Sequence, residues 1–386
     1  MRQLSAVLRA RLPLLLLAVT AALFAGLGRR KRRGDGGWHH HTAQPRLSER
    51  PVGPVDHAQP IWPGREVSFG DKTLYVRSTP PRTHSAQVDF VHPDDREAAL
   101  FVHGLGGSAG NWTDLATLLA PRFAVDAIDL PGFGRSKPTG KYSIRTQTDL
   151  VIAYIENQMA KPVHLFGNSM GGLISLLVAA RRPDLVRTLT LISPAVPDLN
   201  LRRQYRNPAA LLAVPGLYRF VVLRKAAKMS PKHRAYGLLK LIMAQPRTLS
   251  ELRLQETIEE ILERDAMPWT GQSMLRAVRA ILASHLVPGA NGVWRQMSRI
   301  ATPTLVIWGD RDRIVNVRMA PKVGRVMPDA RVLVLPNIAH VAQIEDPVTT
   351  ARAFLGFLEE LDEREGLANL AGTDVGTDTA KPVSVR

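Results

Sequence analysis

The sequence predicts an α/β fold, with a mostly parallel, eight-stranded sheet, helices on both faces, and a helical cap inserted before the last two strands. Short apolar runs of strand length alternate with longer segments of helical periodicity, which is typical of a doubly wound parallel sheet. One long, mostly helical stretch interrupts this alternation and predicts the cap. The parallel strands are predicted near residues 98–103, 124–129, 163–168, 187–193, 303–308 and 331–335.

Two further elements follow from local patterns in the first half of the chain. Residues 66–69 and 72–76 flank the dipeptide Gly70-Asp71, which is typical of a β-hairpin. Residues 146–159 carry apolar side chains at the spacing of one helix face and therefore predict an amphipathic helix.

A glycine-rich turn at residues 103–108 follows the first predicted parallel strand. Such a turn leaves backbone N–H groups free to face a developing negative charge, and the N–H of Leu105 is the candidate donor. We interpret His103 as a structural hydrogen-bonding residue rather than as a base. The alternative interpretation of this segment is a plain strand-to-helix turn.

The most informative motif is Gly-Asn-Ser-Met-Gly at residues 167–171, between an apolar run and a helix-forming run. A strand, a sharp turn and a helix are the context in which this pattern exposes a nucleophile, here Ser169. We expect a strained backbone at the serine and a close approach of strand and helix at the two outer glycines. The N–H of Met170 is the second candidate oxyanion donor. Alternatively, the motif is a glycine-rich turn with an ordinary serine.

The predicted cap, residues 196–302, carries 17 Lys and Arg but only 7 Asp and Glu. Within it, residues 209–225 are first apolar and then basic. An apolar face with a basic rim suits an anionic membrane surface. Equally, the apolar side chains can pack on the core while the charges are solvated.

Two carboxylates compete for the role of a catalytic acid after the strand predicted at 303–308. Asp310 and Asp312 lie in the same loop, and Asp312 is favoured because it lies further out, where its side chain can turn back toward the sheet edge. In the alternative interpretation, both are surface groups that pair with Arg311 and Arg313.

His340 follows the last predicted strand, at the edge where ligands bind in open α/β sheets. It alone among the 11 histidines combines a loop after a strand with a place behind the serine and the acid. A neutral imidazole can accept the serine proton while a carboxylate orients it. Ser169, Asp312 and His340 are therefore the predicted catalytic residues.

These segments together resemble the α/β-hydrolase superfamily, in particular its serine esterases and lipases. The resemblance covers about residues 65–363 and extends to monoacylglycerol lipase-like enzymes and meta-cleavage-product hydrolases. It is carried by residues 103–107, 129–136, 167–172, 309–312 and the loop around His340. The family places Ser, Asp and His in this order along the chain. Where the family usually has Gly before the histidine, this chain has Ala339, which predicts a slightly different loop backbone. Relatives that attack through an aspartate are disfavoured, because the turn at residues 167–171, which we call the elbow, carries a serine.

The net charge of +17 is confined to two regions. Residues 1–65 hold 11 basic and 3 acidic residues, the cap holds the second excess, and the remaining sequence is nearly balanced. No nucleic-acid motif accompanies the charge and aromatic residues are few, so a membrane is the expected partner and nucleic acid is not. The chain has no Cys and no clustered metal-ligand pattern, so we expect no disulfide, metal or cofactor.

Residues 12–28 form an uncharged apolar run, which five basic residues at 29–33 follow directly. Seventeen residues are the lower limit for a membrane-spanning helix. We predict an uncleaved single-pass anchor over residues 1–33, with the catalytic domain in the cytoplasm because the stronger positive flank follows the run. The alternative is a signal peptide cleaved near residues 26–28 and export of the protein.

The predicted domain order is completed by a flexible linker at residues 34–64, a hydrolase core at 65–195 and 303–363, and a disordered tail at 364–386. The resemblance implies that Ser169 attacks a carboxylic ester and forms an acyl-enzyme. The anchor and the apolar cap favour a lipid-like ester, such as a monoacylglycerol. Two alternatives stay open: a C–C-bond hydrolase of ring-cleavage products with the same three residues, and a catalytically silent, membrane-tethered binding protein. The sequence does not predict an oligomeric state.

Overall fold

The computed structural model describes residues 43–80, 96–159, 161–198 and 229–373, with side chains up to residue 367. Its strands are β1 (Gly64–Phe69), β2 (Lys72–Ser78), β3 (Glu97–Val102), β4 (Phe123–Ile128), β5 (Val163–Asn168), β6 (Val186–Ile192), β7 (Thr304–Gly309) and β8 (Ala330–Leu335). They form one sheet in the order β1-β2-β4-β3-β5-β6-β7-β8. The pairs β1·β2 and β2·β4 are antiparallel, and the other neighbouring pairs are parallel. The predicted fold class is confirmed, and every predicted strand lies within two residues of its position in the sheet.

The α-helices of the described residues lie between and beyond these strands. They are α1 (Thr113–Leu119), α2 (Ile144–Gln158), α3 (Met170–Arg181), α4 (Pro231–Ile242), α5 (Glu251–Ala266), α6 (Thr270–His285), α7 (Val293–Met297), α8 (Ala320–Val326), α9 (Ala342–Glu345) and α10 (Pro347–Thr373). Helices α4 to α7 form the described part of the insertion between β6 and β7, where the cap is predicted. Residues 199–228, which include the whole apolar and basic run at 209–225, lie outside the described residues.

The sheet is covered on both faces, which explains why its central strands are apolar without alternation. β5 is buried along its whole length. Leu165 packs in one apolar cluster and its neighbour Phe166 in another, because successive side chains point to opposite faces. The carboxyl ends of the parallel strands lie together at one edge of the sheet, and this edge carries the candidate site.

Residues 43–63, the described part of the predicted flexible linker, form no helix or strand but are hydrogen-bonded to the domain. The Val332 N–H donates to the Ala43 carbonyl at 2.9 Å, which pairs the segment with the outer edge of β8. The Ser48 N–H donates to the carbonyl of Arg352 in α10, also at 2.9 Å. The segment predicted as a flexible linker is therefore bonded to the domain along these residues. The unpaired edge of a strand offers backbone groups that an irregular segment can satisfy, and no side-chain pattern reveals such pairing.

The final helix extends beyond the predicted start of the tail at residue 364, because α10 continues past residue 363 to Thr373. Extending an existing helix costs no new nucleation, so a polar segment that would not form a helix alone can continue one. Residues 374–386 lie outside the described residues, as does the anchor predicted at residues 1–33. Within the part of the chain that is described, no helix is both long and apolar enough to cross a membrane.

Candidate active site

Ser169 lies in the turn between β5 and α3 and has a strained backbone. Its φ of 54° and ψ of −115° belong to a region that residues with a side chain rarely occupy. The Ser169 N–H donates to the Ile192 carbonyl at 3.0 Å, and the Asn168 side chain donates to the same carbonyl at 3.1 Å. These bonds hold the turn on the end of β6, and Ser169 lies in the wall of a large cavity.

The glycines of the elbow let strand and helix approach more closely than side chains would allow. A Cβ on Gly167 would lie 2.5 Å from the carbonyl oxygen of Gly171. A Cβ on Gly171 would overlap the carbonyl oxygen of Val102 in β3. The geometry that the motif predicts is therefore present on both sides of the serine.

We expect Gly171→Ala to lower the free energy of unfolding by about 1–3 kcal/mol, because its methyl group must displace backbone rather than a mobile side chain. Gly237 is the matched control: it too lies inside a helix, α4, but its Cβ would meet no atom within 4 Å. Gly237→Ala should leave stability unchanged or raise it by up to about 1 kcal/mol, since Ala is the better helix former. Denaturant unfolding of both variants measures the difference. Equal unfolding midpoints would contradict the close packing at the elbow.

The two candidate oxyanion donors flank Ser169. Gly106 has a φ of +72°, and the Gly107 N–H donates to the Gly104 carbonyl at 3.1 Å, which closes a tight turn around Leu105. A Cβ on Gly104 would lie 3.1 Å from the Ser169 Cβ, so this turn adjoins the serine. Among the described residues, the N–H groups of Leu105 and Met170 have no hydrogen-bond acceptor. Met170 is also the first residue of α3, where the helix dipole favours negative charge.

His103 is structural, as the sequence predicts. Its Nε2 accepts from the Leu130 N–H at 2.9 Å, which leaves the proton on Nδ1 to donate to the Gly104 carbonyl at 2.7 Å. Burial lowers the pKa of His103 to about 4, so the imidazole is neutral near pH 7. Both ring nitrogens are occupied in holding the glycine-rich turn, and neither is available as a base.

The predicted acid, Asp312, and the predicted base, His340, lie in contact. The Nδ1 of His340 lies 2.9 Å from the Oδ2 of Asp312, and both side chains are buried. The other carboxylate oxygen of Asp312 accepts from the N–H groups of Ile314 at 2.8 Å and Val315 at 3.0 Å. Because both oxygens of Asp312 accept hydrogen bonds, the carboxylate is fixed in one orientation. This orientation keeps a proton on the Nδ1 of His340 and leaves its Nε2 free to accept one.

Asp310 does not take part in this arrangement. Its side chain is 41% exposed and lies 3.9 Å from the Nε of its neighbour Arg311. The alternative that both carboxylates are surface groups therefore holds for Asp310 and fails for Asp312. The bonds from the N–H groups of Ile314 and Val315 hold the Asp312 side chain toward His340. They distinguish the two carboxylates, whereas distance from the end of β7 does not.

Asn168 is a site residue that the sequence analysis missed. Besides its bond to Ile192, its Nδ2 donates to the backbone carbonyl of His340 at 3.0 Å. It thus ties the serine turn to the histidine loop. Ala339, in place of the usual glycine, is fully buried, and its carbonyl lies so close to Gly309 that a Cβ there would overlap it. At this close approach the residue that must lack a side chain is Gly309.

Ser169, Asp312 and His340 line one cavity of about 700 Å³, together with Leu105 and helices of the cap. Its wall on the side of α4 and α6 is apolar, formed by residues that include Leu238, Leu241, Ile242, Met274, Val278, Ile281 and Leu282. A cavity of this size suits a small-molecule ligand with an apolar part.

The wall formed by α5 is charged. Arg253, Glu256 and Arg264 lie on one face of this helix and line the cavity. Arg253 donates to Glu256 and to Asp114 of the core, each at 2.6 Å, and Arg264 donates to the Gly106 carbonyl of the glycine-rich turn. In the described part of the cap, Arg253 and Arg264 therefore bond to other groups of the protein and hold the cap on the core. No group of three His, Asp or Glu residues that could bind a metal ion occurs in this part of the chain.

The sequence profile of the alpha/beta hydrolase fold matches residues 99–347. The chain therefore belongs to the α/β-hydrolase family, as the fold and the order of the site residues indicate.

Three relatives of known name show what the chain resembles. The dihydrolipoyllysine-residue acetyltransferase component of the acetoin cleaving system of Pseudomonas putida is 28% identical over 68% of this chain, which spans 63% of that protein, less than two thirds. A pimeloyl-acyl-carrier-protein methyl ester esterase of Neisseria meningitidis is 28% identical over 75% of this chain and 86% of its own length. Lipase 3 of Moraxella sp. strain TA144 is 27% identical over 76% and 84%. The esterase and the lipase support a carboxylic ester hydrolase.

A solved structure, of a bacterial membrane phospholipase A, superposes with a TM-score of 0.60 at 24% identity, over 78% of this chain and 87% of that one. At this identity the likeness shows the shared fold.

Proposed function

We propose that this protein is a membrane-associated serine hydrolase that cleaves a lipid-like carboxylic ester through an acyl-enzyme. One observation carries the proposal: a buried His340–Asp312 pair, with 2.9 Å between Nδ1 and Oδ2, lines the same cavity as a serine in a strained elbow. The esterase and lipase relatives support ester hydrolysis as the reaction.

The proposed reaction begins when the Ser169 Oγ attacks the ester carbonyl and its proton passes to the Nε2 of His340. Asp312 holds the imidazole in the required tautomer and stabilises its positive charge. The N–H groups of Leu105 and Met170 stabilise the oxyanion. His340 then protonates the departing alcohol, and water releases the carboxylic acid from Ser169 by the reverse sequence.

The two walls of the cavity support a substrate with an apolar acyl chain and a polar alcohol part. The α4 and α6 wall fits the chain, whereas the charged α5 wall fits a hydroxylated group such as that of a monoacylglycerol. The apolar run at residues 12–28 would bring the enzyme to the membrane in which such esters dissolve, with the catalytic domain on the cytoplasmic side.

An ester panel of graded acyl length, assayed on detergent-solubilised full-length protein, tests this function. We expect hydrolysis throughout the panel, with kcat/KM at least about tenfold higher for chains of eight or more carbons than for acetate, since each buried CH2 contributes about 0.8 kcal/mol. A preference for acetyl esters would contradict the lipid-like substrate. Faster turnover of a ring-cleavage diketone than of any ester would favour the C–C-bond hydrolase, and no turnover of either would favour a silent binding protein.

A further inference from the structure

The segment that carries His340 is bonded to the cap as well as to the core. The N–H of His340 itself donates to the carbonyl of Ile242, the last residue of α4, at 2.9 Å. Just beyond it, Val341 is 5% exposed and belongs to an apolar cluster whose other buried members come from the cap: Ala235, Leu239, Met243, Leu254 and Ile261. The backbone around the proposed base therefore completes the core of the cap.

Glu345, at the end of α9, joins the same two parts through its carboxylate. One oxygen, Oε2, accepts from the N–H of Ala339, the residue before His340, at 2.8 Å. The other, Oε1, accepts from the N–H of Gln245, just after α4, at 2.7 Å. A carboxylate can accept on both oxygens at once, and charge-assisted bonds to backbone N–H groups are stronger than neutral ones.

We infer that Glu345 is a positioning residue that couples the cap to the catalytic histidine. Because it holds the backbone on one side of His340 while Ile242 holds the N–H of His340, α4 adds to the bonds from Asn168 and Asp312 that fix the imidazole relative to Ser169. Glu345 touches neither the reacting atoms nor the imidazole in this account. The inference rests on the proposed role of His340 as the base.

The coupling predicts a loss of turnover rather than of binding when Glu345 is changed. In Glu345→Gln one acceptor oxygen becomes an NH2 group that faces a backbone N–H, and in Glu345→Ala both acceptors are lost. We expect kcat to fall about 10- to 100-fold, more in the alanine than in the glutamine variant, as a misplacement of about 1 Å in a catalytic group does. KM should change less than about threefold, because no residue of the apolar cavity walls that bind the chain is replaced.

Arg313→Gln is the matched control, because Arg313 donates to the Lys240 carbonyl at 2.6 Å and this bond joins the same end of α4 to the core through an atom pair outside the histidine loop. We expect its kcat to change less than about threefold, since only one exposed hydrogen bond is removed. Steady-state kinetics on full-length protein, well below the unfolding midpoint of each variant, separate misplacement from unfolding. Amide exchange of the peptides around Ala339 and Gln245 should also rise in the Glu345 variants.

Full kcat in folded Glu345→Ala would overturn the inference. An equal loss in Arg313→Gln would also overturn it, because the effect would then come from any loosening of the cap. Wild-type protein that turns over no ester would instead refute the proposed function, and the positioning role with it. Wild-type turnover with a selective kcat loss in both Glu345 variants is the result that supports the coupling.

Discussion

Ser169→Ala should abolish ester hydrolysis, with kcat lowered by about 10⁶-fold, the size of loss seen when the nucleophile of a serine hydrolase is removed. Alanine lacks the Oγ that forms the acyl-enzyme, while its small side chain leaves the elbow and the cavity in place. Residual activity near this floor would come from binding and from the Leu105 and Met170 N–H groups alone. The measurement is steady-state hydrolysis of an ester that the wild-type protein cleaves.

Ser298→Ala is the matched control for this substitution. Ser298 is an exposed residue directly after α7, and its hydroxyl donates to the Arg295 carbonyl at 2.9 Å. It is far from the elbow in the sequence and has no part in the proposed reaction. Its kcat should remain within about twofold of wild type, because exposed substitutions of this kind are nearly neutral. Unfolding curves of both variants should match the wild-type curve. Normal turnover by Ser169→Ala would refute Ser169 as the nucleophile.

Asp312→Asn should lower kcat by about 10⁴-fold, the loss measured for this substitution in another serine hydrolase. An asparagine that keeps its oxygen on the N–H groups of Ile314 and Val315 presents its NH2 group to the Nδ1 of His340. The imidazole must then carry its proton on Nε2, and it can no longer accept the proton of Ser169. The loss should fall on kcat, because the side chain of Asp312 is fully buried behind the histidine.

Asp310→Asn separates the two carboxylates of the loop. Asp310 is 41% exposed and its nearest cation is Arg311 at 3.9 Å, so its neutral variant should keep kcat within about threefold of wild type. The two substitutions are the same chemical change, made two positions apart in one loop. If Asp310→Asn lost as much activity as Asp312→Asn, the buried His340–Asp312 pair would not be the functional one.

The fold could be predicted because its signal is local. Apolar runs such as residues 163–168 and 304–308 are long enough to cross a sheet that is covered on both faces, and periodicity alone places them. The three site residues could be predicted for a related reason. Each follows a strand, and parallel strands bring their C-terminal ends to one edge, so Ser169, Asp312 and His340 converge although up to 171 positions separate them.

What the sequence did not reveal depends on backbone groups that meet only in the folded chain. The edge pairing of Ala43 with Val332, the bridge of Asn168 from Ile192 to His340, and the two bonds of Glu345 all use main-chain N–H or carbonyl groups. Such groups are present at every residue, so no residue pattern marks where they will pair. The side chains of the candidate site could be predicted from the sequence, whereas the backbone hydrogen bonds that orient them could not.

The reaction of the full-length protein with a fluorophosphonate, followed by peptide mapping, tests the central claim most directly. Such a reagent phosphonylates a serine only where a base activates it, so it reports nucleophile, base and acid together. We expect one adduct per chain, on the peptide that contains Ser169, absent from Ser169→Ala and formed far more slowly in Asp312→Asn. No adduct on the folded wild-type protein, or an adduct on another serine while ester turnover continues, would contradict the assignment of Ser169, Asp312 and His340 as the catalytic residues.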